Sequence, residues 1–183
     1  MTEQQPYDLI EKRRDYEVRH YPEHLIAEVR LDTDFESAAT AAFRRLVSYI
    51  GGANAAGQSI AMTAPVVHVP QVKDDSLTAY AESEGTRDHL VSFVLPASMT
   101  VGVPPAPTDA SIMVRRMPAE RAAALRFTGR WTWSAFSHHV DELRAALVRD
   151  GVKPAGPPRF ARFDPPWTPW FLRHNEVIIP IAA

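Results

Sequence analysis

Aromatic and basic side chains with the chemistry to hold a small molecule cluster near the C-terminus of this sequence. Trp167, Trp170 and Phe171 lie in a proline-restrained segment, and Arg173 and His174 follow directly. Rigid aromatic rings beside a cleft suit a flat conjugated ligand, but they suit a lid packed on the core equally well. The two basic side chains have the chemistry to pair with a carboxylate. This tail is a candidate binding segment.

Two further side chains have both a structural and a functional interpretation. Glu176, in the same tail, would either hydrogen-bond to the backbone or meet a cationic ligand if it is partly buried. Met62 carries a soft thioether that can touch a flat ring or act as a weak ligand of a metal, yet methionine is more often a core residue. For both, the structural role is the favoured interpretation.

Other patterns argue against an enzyme or a metal site. His138 and His139 are neighbours on a predicted helix, so we expect them not to chelate a metal together, and His138 with Glu142 lacks a third ligand. The segment Gly51–Ser59 lacks the lysine of a phosphate-binding loop and is interpreted as a turn. Since no nucleophile, base and orienting group come together, we expect a binding protein rather than an enzyme.

Composition narrows the function classes further. The 183 residues include no cysteine, which excludes disulfides, thiolate-bound zinc and cysteine-linked cofactors. The formal net charge is −2 with no basic block, so a nucleic-acid partner is not expected. The N-terminus has no apolar signal region, and no stretch approaches about 18 apolar residues. We expect a cytoplasmic, water-soluble protein with no membrane span.

The first half of the chain predicts strands around one clear helix. Apolar residues from Phe35 to Ile50 recur at helical spacing, with Asp34 as N-cap and two glycines as the stop. Alternating apolar and polar residues predict the strands, and Pro65 indicates an edge or bulge position in the third of them. These strands are Tyr16–Tyr21, Leu25–Leu31, Ile60–Val69, Leu77–Glu82 and Leu90–Leu95.

The second half repeats this order after a proline-rich connector at 96–107. A helix is predicted over Trp133–Arg149, with Gly151 as its stop. The predicted strands are Ser111–Met117, Arg121–Thr128, Phe160–Phe163 and Glu176–Ile181. The predicted class is α+β: two pseudo-symmetric halves, about 7–95 and 108–181, forming a curved, mostly antiparallel sheet or a distorted β-barrel flanked by two helices. Such a shape leaves a ligand cleft either in the middle of the seam between the two halves or beneath a helix.

Four stretches, in this order, resemble the SOUL/haem-binding-protein family. They are Tyr16–Tyr21 (YEVRHY), Phe43–Asn54 (FRRLVSYIGGAN), Ile60–Val66 (IAMTAPV) and Asp164–Val177 (DPPWTPWFLRHNEV). The proline-rich turn before Asp109 also fits, so the resemblance extends from Tyr7 to Ile181. It implies a single domain with two helices on a curved sheet. That fold is shared with bacterial effector-binding domains that hold small molecules.

The resemblance also implies a ligand and a place for it. His20 stands where some members carry a histidine proposed as an axial ligand of haem iron. In haem-binding members the ligand lies along the first helix, where Phe43 and Val47 would be the apolar contacts here. Thr40 and Ser48 occupy positions that are basic in tetrapyrrole-binding relatives, so this chain departs from the pattern that pairs the propionates.

The function predicted from this resemblance is non-covalent binding of haem of the b type, or of another tetrapyrrole, as a carrier, buffer or sensor. An effector-sequestering domain for apolar or cationic small molecules, with Glu176 as counter-charge, is the alternative. A haem-modifying or ester-hydrolysing enzyme is the less favoured third. The predicted ligand contacts, with His20 as the possible axial ligand, are His20, Phe43, Val47, Met62, Trp167, Trp170, Arg173 and Glu176.

Overall fold

The computed structural model describes residues 2–72, 86–99 and 102–182. Eleven strands and two α-helices follow one another along these residues. The first half contains β1 (Glu3–Gln4), β2 (Asp8–Lys12), β3 (Glu17–Tyr21), β4 (His24–Asp32), α1 (Phe35–Ile50), β5 (Thr63–Ala64), β6 (Val66–Pro70) and β7 (Asp88–Val94). The second half contains β8 (Ile112–Met117), β9 (Glu120–Phe127), α2 (Trp133–Arg149), β10 (Arg159–Arg162) and β11 (Asn175–Pro180).

Nine of the strands form one antiparallel sheet that curls into a half-barrel, in the order β2-β3-β9-β11-β10-β6-β7-β4-β8. The two halves meet where β6 pairs with β10, and the order on either side of this seam is the same. One strand of each half pairs with the other half: β3 lies against β9, and β8 lies against β4. The predicted α+β class and pseudo-symmetric halves are confirmed.

Helix α1 begins and ends as its sequence predicts. The Asp34 carboxylate accepts a hydrogen bond from the Ser37 backbone N–H at 2.8 Å, which satisfies an amide that the helix cannot. Gly52, with φ of 116°, supplies the left-handed turn after the helix. The buried face packs on β4 and β7 and includes Leu46 and Tyr49. Tyr49, which is not one of the apolar residues predicted to face the core, is buried there. Phe43 and Val47, which are among them, are partly exposed instead.

Helix α2 packs on β9 and β11, on the same side of the sheet as α1. Phe35 at the start of α1 stacks on Phe136 of α2 and Phe160 of β10, with ring centroids 5.6 Å and 5.9 Å apart. The backbone N–H of Trp133 donates to the Glu36 carboxylate at 3.0 Å, so the two helix N-termini are tied together. Neither helix in the described ranges is long and apolar enough to cross a membrane.

Some predicted elements differ from those observed. The Ile60–Val69 segment forms two strands, β5 and β6, separated at Pro65. Pro65 was predicted to mark an edge or a bulge. β5 lies in a two-stranded sheet with β1, where each strand is an edge, whereas β6 lies in the middle of the large sheet between β10 and β7. The short strands β1 and β2 had no alternating pattern to predict them. The predicted strand Leu77–Glu82 lies outside the described residues.

Candidate functional site

The sheet has two faces with different roles. Both helices cover one face, and we call the other the open face. Alternation along β4 places Leu25 and Ala27 under α1 but turns His24, Ile26 and Glu28 to the open face. A cavity of about 390 Å³ lies on the open face across the seam. This is the predicted mid-seam cleft; the space beneath α1 is filled by core side chains.

Strands from both halves wall this open-face cavity. Most of the wall is aliphatic, contributed by Ile26, Val67, Val69, Leu90, Val94 and Ile178. Its polar atoms come from Gln5 at the N-terminus and from side chains along β3, β4, β7, β8, β9 and β10. An apolar cavity with a few convergent polar groups is the usual form of a small-molecule site.

Two ion pairs line the cavity and leave it electrically balanced. Arg115 of β8 donates to the Glu28 carboxylate of β4 at 2.9 Å. Arg159 of β10 lies 2.5 Å from the carboxylate of Glu120, which begins β9. The Arg115 side chain is partly exposed, whereas Glu28 is nearly buried. Each guanidinium is thus held in place by a fixed carboxylate at the edge of an apolar space.

His24 is the one histidine in the cavity wall, and its ring is held from both sides. Nδ1 lies 2.9 Å from the Pro22 carbonyl oxygen, and Nε2 lies 3.2 Å from the Gln5 side-chain amide. The residue is 7% exposed. Burial lowers the pKa of His24, and the nearby Arg159 charge lowers it further. The imidazole is therefore neutral at pH 7.

A buried ionic network adjoins the cavity on the open face. Arg19 of β3 donates to both oxygens of Glu176 on β11, at 2.7 Å and 3.0 Å. The same guanidinium donates to the Tyr21 hydroxyl at 3.1 Å and to the Glu17 carboxylate at 2.9 Å. Tyr21 lines the cavity, and burial raises its pKa to about 12. The network therefore fixes one end of the cavity wall.

Glu176 stays ionised in this network although it is only 2% exposed. Burial alone would raise its pKa, but hydrogen bonds from His174 and Arg19 outweigh burial and the pKa is lowered. His174 Nε2 lies 2.8 Å from the carboxylate, and its ring stacks on Phe163. Glu176 thus has the structural role favoured by the sequence, although its partners are side chains rather than the backbone.

A second buried polar cluster lies on the helix face near the seam. Arg162 donates to His68 Nδ1 at 3.3 Å, so His68 Nε2 carries the hydrogen that faces His89 Nδ1 at 3.1 Å. His89 Nε2 then donates to the Thr86 carbonyl at 3.0 Å. Burial lowers the pKa of both histidines and lowers that of Arg162 to about 9. The cluster is part of the core between the helices.

Two of the predicted ligand contacts, Phe43 and Val47, lie on the outer flank of α1, and a third, Met62, lies directly before β5. Phe43, Val47 and Met62 are 36%, 37% and 38% exposed. Phe43 and Val47 are one turn apart on the helix, and Phe43 packs edge-on against Phe93 of β7. This flank is on the helix face, so the sheet separates it from the open-face cavity.

The predicted contacts of the tail lie in a loop between β10 and β11. Trp167 is 83% exposed, and Trp170 and Phe171 are also exposed. Arg173 donates to the carbonyl oxygens of Pro166 and Thr168, which holds the loop closed on itself. None of these side chains belongs to the cavity wall, so the exposed rings neither cover the core nor face the cavity.

His20 is separated from both surfaces. It lies on β3 next to Arg19 and Tyr21, so its side chain points to the other face of the strand. The imidazole is 41% exposed, and its Nδ1 lies 3.5 Å from the carboxylate of Asp8 on β2. The eight predicted contacts therefore do not share one site: they lie at the edge near His20, on the α1 flank, at Met62 before β5, in the tail loop and in the Glu176 network.

The expectation that His138 and Glu142 lack a third potential ligand is wrong. The ligand atoms of His138, His139 and Glu142 lie within 4.8 Å of one another on the surface of α2. Adjacent histidines point about 100° apart on a helix, but long side chains can still converge. His139 is drawn toward Phe127, with ring centroids 3.8 Å apart, and reaches Glu142 at 2.5 Å.

Sequence reasoning missed the residues that shape the cavity. Arg19 and Tyr21 lie in the same motif as His20, YEVRHY, and period-two alternation alone would have placed them together on the opposite face. His24, Arg115 and Arg159 carry no local signal, because the cavity forms only when strands from distant parts of the chain become neighbours.

Comparison with known proteins agrees with this fold. A model of the SOUL heme-binding protein family matches residues 2–180. The chain is 27% identical to Heme-binding protein 1 of Xenopus tropicalis over 149 residues, which cover 77% of this chain and 74% of that protein. It is 27% identical to Heme-binding protein 1 of Mus musculus over 149 residues, covering 80% and 73%.

Solved structures give the same architecture at low identity. The C-terminal domain of EcmrR superposes with a TM-score of 0.65 at 14% identity, covering 96% of this chain and 98% of that one. A hydrolase from Listeria innocua superposes with a TM-score of 0.58 at 12% identity, covering 94% of each chain. These likenesses concern the fold alone. Because the family model covers nearly the whole chain, the protein belongs to the SOUL heme-binding protein family.

Proposed function

We propose that the protein binds haem or another tetrapyrrole non-covalently in the open-face cavity, as a cytoplasmic carrier, buffer or sensor. Membership of the family and similarity to proteins named Heme-binding protein 1 support the ligand class. The observation that carries the proposal is the cavity of about 390 Å³ itself, which combines aliphatic walls, two arginines and a neutral histidine.

The residues present fit such a ligand. Pockets for drug-sized ligands span roughly 300–1,000 Å³, so this cavity holds part of a tetrapyrrole, and the rest would extend through its open side. The aliphatic walls would contact the ring. Arg115 and Arg159 would donate hydrogen bonds to the carboxylates of the ligand. Each arginine would keep its ion pair, Arg115 with Glu28 and Arg159 with Glu120. When bound, haem supplies an iron that can accept axial ligands.

The affinity can be judged from burial. A micromolar dissociation constant corresponds to about 8 kcal/mol. Burying a few hundred Å² of ring surface at about 25 cal/mol per Å² supplies most of that free energy before the costs of association. Apolar contact would therefore dominate binding, and contacts with iron and carboxylates would orient the ligand.

Titration of the protein with hemin tests the proposal. We expect the Soret band to shift and to saturate at one equivalent. Val67→Trp, which places a large ring at the seam, should weaken binding at least about tenfold. Val148→Glu, on an exposed part of α2, is the matched control and should bind as the parent does. A shift that never saturates, or one shared by unrelated proteins, would exclude this function.

The same titration decides between two places of binding. The family resemblance implies contacts on the α1 flank, where Val47 and Phe43 are partly exposed. If Val47→Glu abolishes saturable binding while Val67→Trp leaves it intact, the ligand lies on that flank and not in the cavity. Loss in Val67→Trp, with far-UV circular dichroism unchanged, assigns it to the cavity.

The alternative of a site for cationic effectors is less well supported by the geometry. Its predicted counter-charge, Glu176, already accepts two hydrogen bonds from Arg19 and one from His174. A cationic ligand would have to displace a buried guanidinium, which would leave Arg19 without its partner. Binding of a cationic dye that Glu176→Gln abolishes, in a protein indifferent to hemin, would favour the alternative instead.

A further inference from the structure

We propose that His24, through Nε2, is the axial ligand of the iron in the bound tetrapyrrole. This inference rests on the proposed function and names the residue that would reach the iron. It follows from the position of His24 in the cavity wall, from the hydrogen bonds of its two ring nitrogens, and from the neighbours that hold it.

The tautomer of His24 follows from its partners. The Pro22 carbonyl oxygen can only accept a hydrogen bond, so Nδ1, at 2.9 Å, carries the hydrogen. Nε2 therefore keeps its lone pair, which accepts from the Gln5 amide at 3.2 Å. A histidine that ligates a metal has this arrangement, with one nitrogen donating to a carbonyl and the other free to bind.

The surroundings of His24 carry balanced charge. Arg159 and Glu120 line the same cavity wall as His24 and form an ion pair with one another. If haem binds as proposed, His24 Nε2 would exchange its hydrogen bond from the Gln5 amide for a bond to the iron.

The group that covers Nε2 can be displaced. Gln5 follows the two-residue strand β1 and is held by its backbone N–H, which donates to the Ala64 carbonyl at 2.7 Å. Its side chain needs only a rotamer change to withdraw from His24, while the backbone stays attached. His20, by comparison, points away from the cavity and lies near Asp8. Of the two histidines at this end of the sheet, only His24 faces an apolar space.

Resonance Raman spectroscopy of the ferrous complex gives a direct test. We expect the parent protein and His20→Ala to show the iron–histidine stretching band and His24→Ala to lose it. His24→Ala should bind hemin at least about tenfold more weakly, as loss of a ligand requires. Its affinity for metal-free protoporphyrin should be unchanged, which shows that the variant is folded. Gln5→Ala should strengthen hemin binding but not protoporphyrin binding.

Each outcome separates this inference from the proposed function. If the parent binds neither hemin nor protoporphyrin, both are wrong. If it binds both ligands, but the band persists in His24→Ala or disappears in His20→Ala, the function stands and the assignment of His24 is overturned. If His24→Ala loses protoporphyrin as well, His24 contacts the ring rather than the iron, and the assignment is again overturned.

Discussion

Single residues on the open face show how a charge can be stable in a buried sheet. Arg19 and Glu176 form a two-point ion pair, and each has further partners, Tyr21 for the arginine and His174 for the acid. Tyr7 also covers the guanidinium, 4.1 Å from its ring centroid. Such a pair is costly to break, because the remaining charge has no water to solvate it.

We therefore expect Arg19→Met to reduce the free energy of unfolding at pH 7 by about 3–5 kcal/mol, measured by urea denaturation. Arg30→Met is the matched control: Arg30 pairs with Asp88 at the surface, and its loss should leave the midpoint nearly unchanged. An equal effect of the two changes would contradict a structural role for the buried pair.

The same pair gives a pH dependence with a definite sign. The pKa of Glu176 is lowered in the folded protein, so the unfolded chain binds its proton first as the pH falls. The stabilisation is complete above about pH 4.3, the usual value for glutamate, and is lost at lower pH. The difference in unfolding free energy between the parent and Arg19→Met should narrow there. A difference that widens would be inconsistent with this linkage.

At the scale of elements, helix α1 depends on the residue before it. Asp34 accepts the hydrogen bond of the Ser37 N–H, and this bond also lowers the pKa of the carboxyl. Asp34→Ala should lower Tm by about 2–4 °C, by analogy with other lost N-caps in chains of this size. Thr40→Ala, at an exposed helical position, is the control and should not lower it. Differential scanning calorimetry measures both.

Elements were predictable where the pattern is local. The helical spacing from Phe35 to Ile50 and the cap at Asp34 belong to one short segment, and both are confirmed. The bounds of β3, β4, β7 and β8 to β11 were predicted to within one or two residues, whereas β1 and β2 were not predicted and β5 and β6 were predicted as one strand. The exposure of Phe43 and Val47 was not predictable, because both fit the apolar stripe and only packing on β4 and β7 selects Tyr49 instead.

The residues of the open-face cavity could not be predicted from the sequence, for a different reason. His24 and Met117 are direct neighbours across β4 and β8, yet they are far apart in the chain. Arg159 joins them from β10, on the other side of the seam. A cavity built from such contacts depends on strand order, which no alternation pattern specifies. The family resemblance supplied the fold, and the ligand contacts that it implied lie on the α1 flank rather than in this cavity.

At the scale of the whole molecule, the exchange of β3 and β8 makes each half incomplete alone. Without the second half, β3 lacks β9, β4 lacks β8 and β6 lacks β10. We expect fragments 1–99 and 100–183 to show no cooperative unfolding when separate and to regain it when mixed. Circular dichroism during thermal unfolding tests this. A cooperative transition in fragment 1–99 alone would show that the halves are independent.

The seam between β6 and β10 affects how a ligand in the open-face cavity would act on the two halves. β6 and β10 are joined over three residue pairs, from Val66–Arg162 to His68–Phe160, whereas β4 and β7 are joined over seven. The shortest strand pairing in the middle of the sheet therefore lies beneath the cavity, which Val67 of β6 and Arg159 of β10 both line. A ligand bound there, as proposed, would contact both halves across this join. We expect its removal to weaken the contact between the halves.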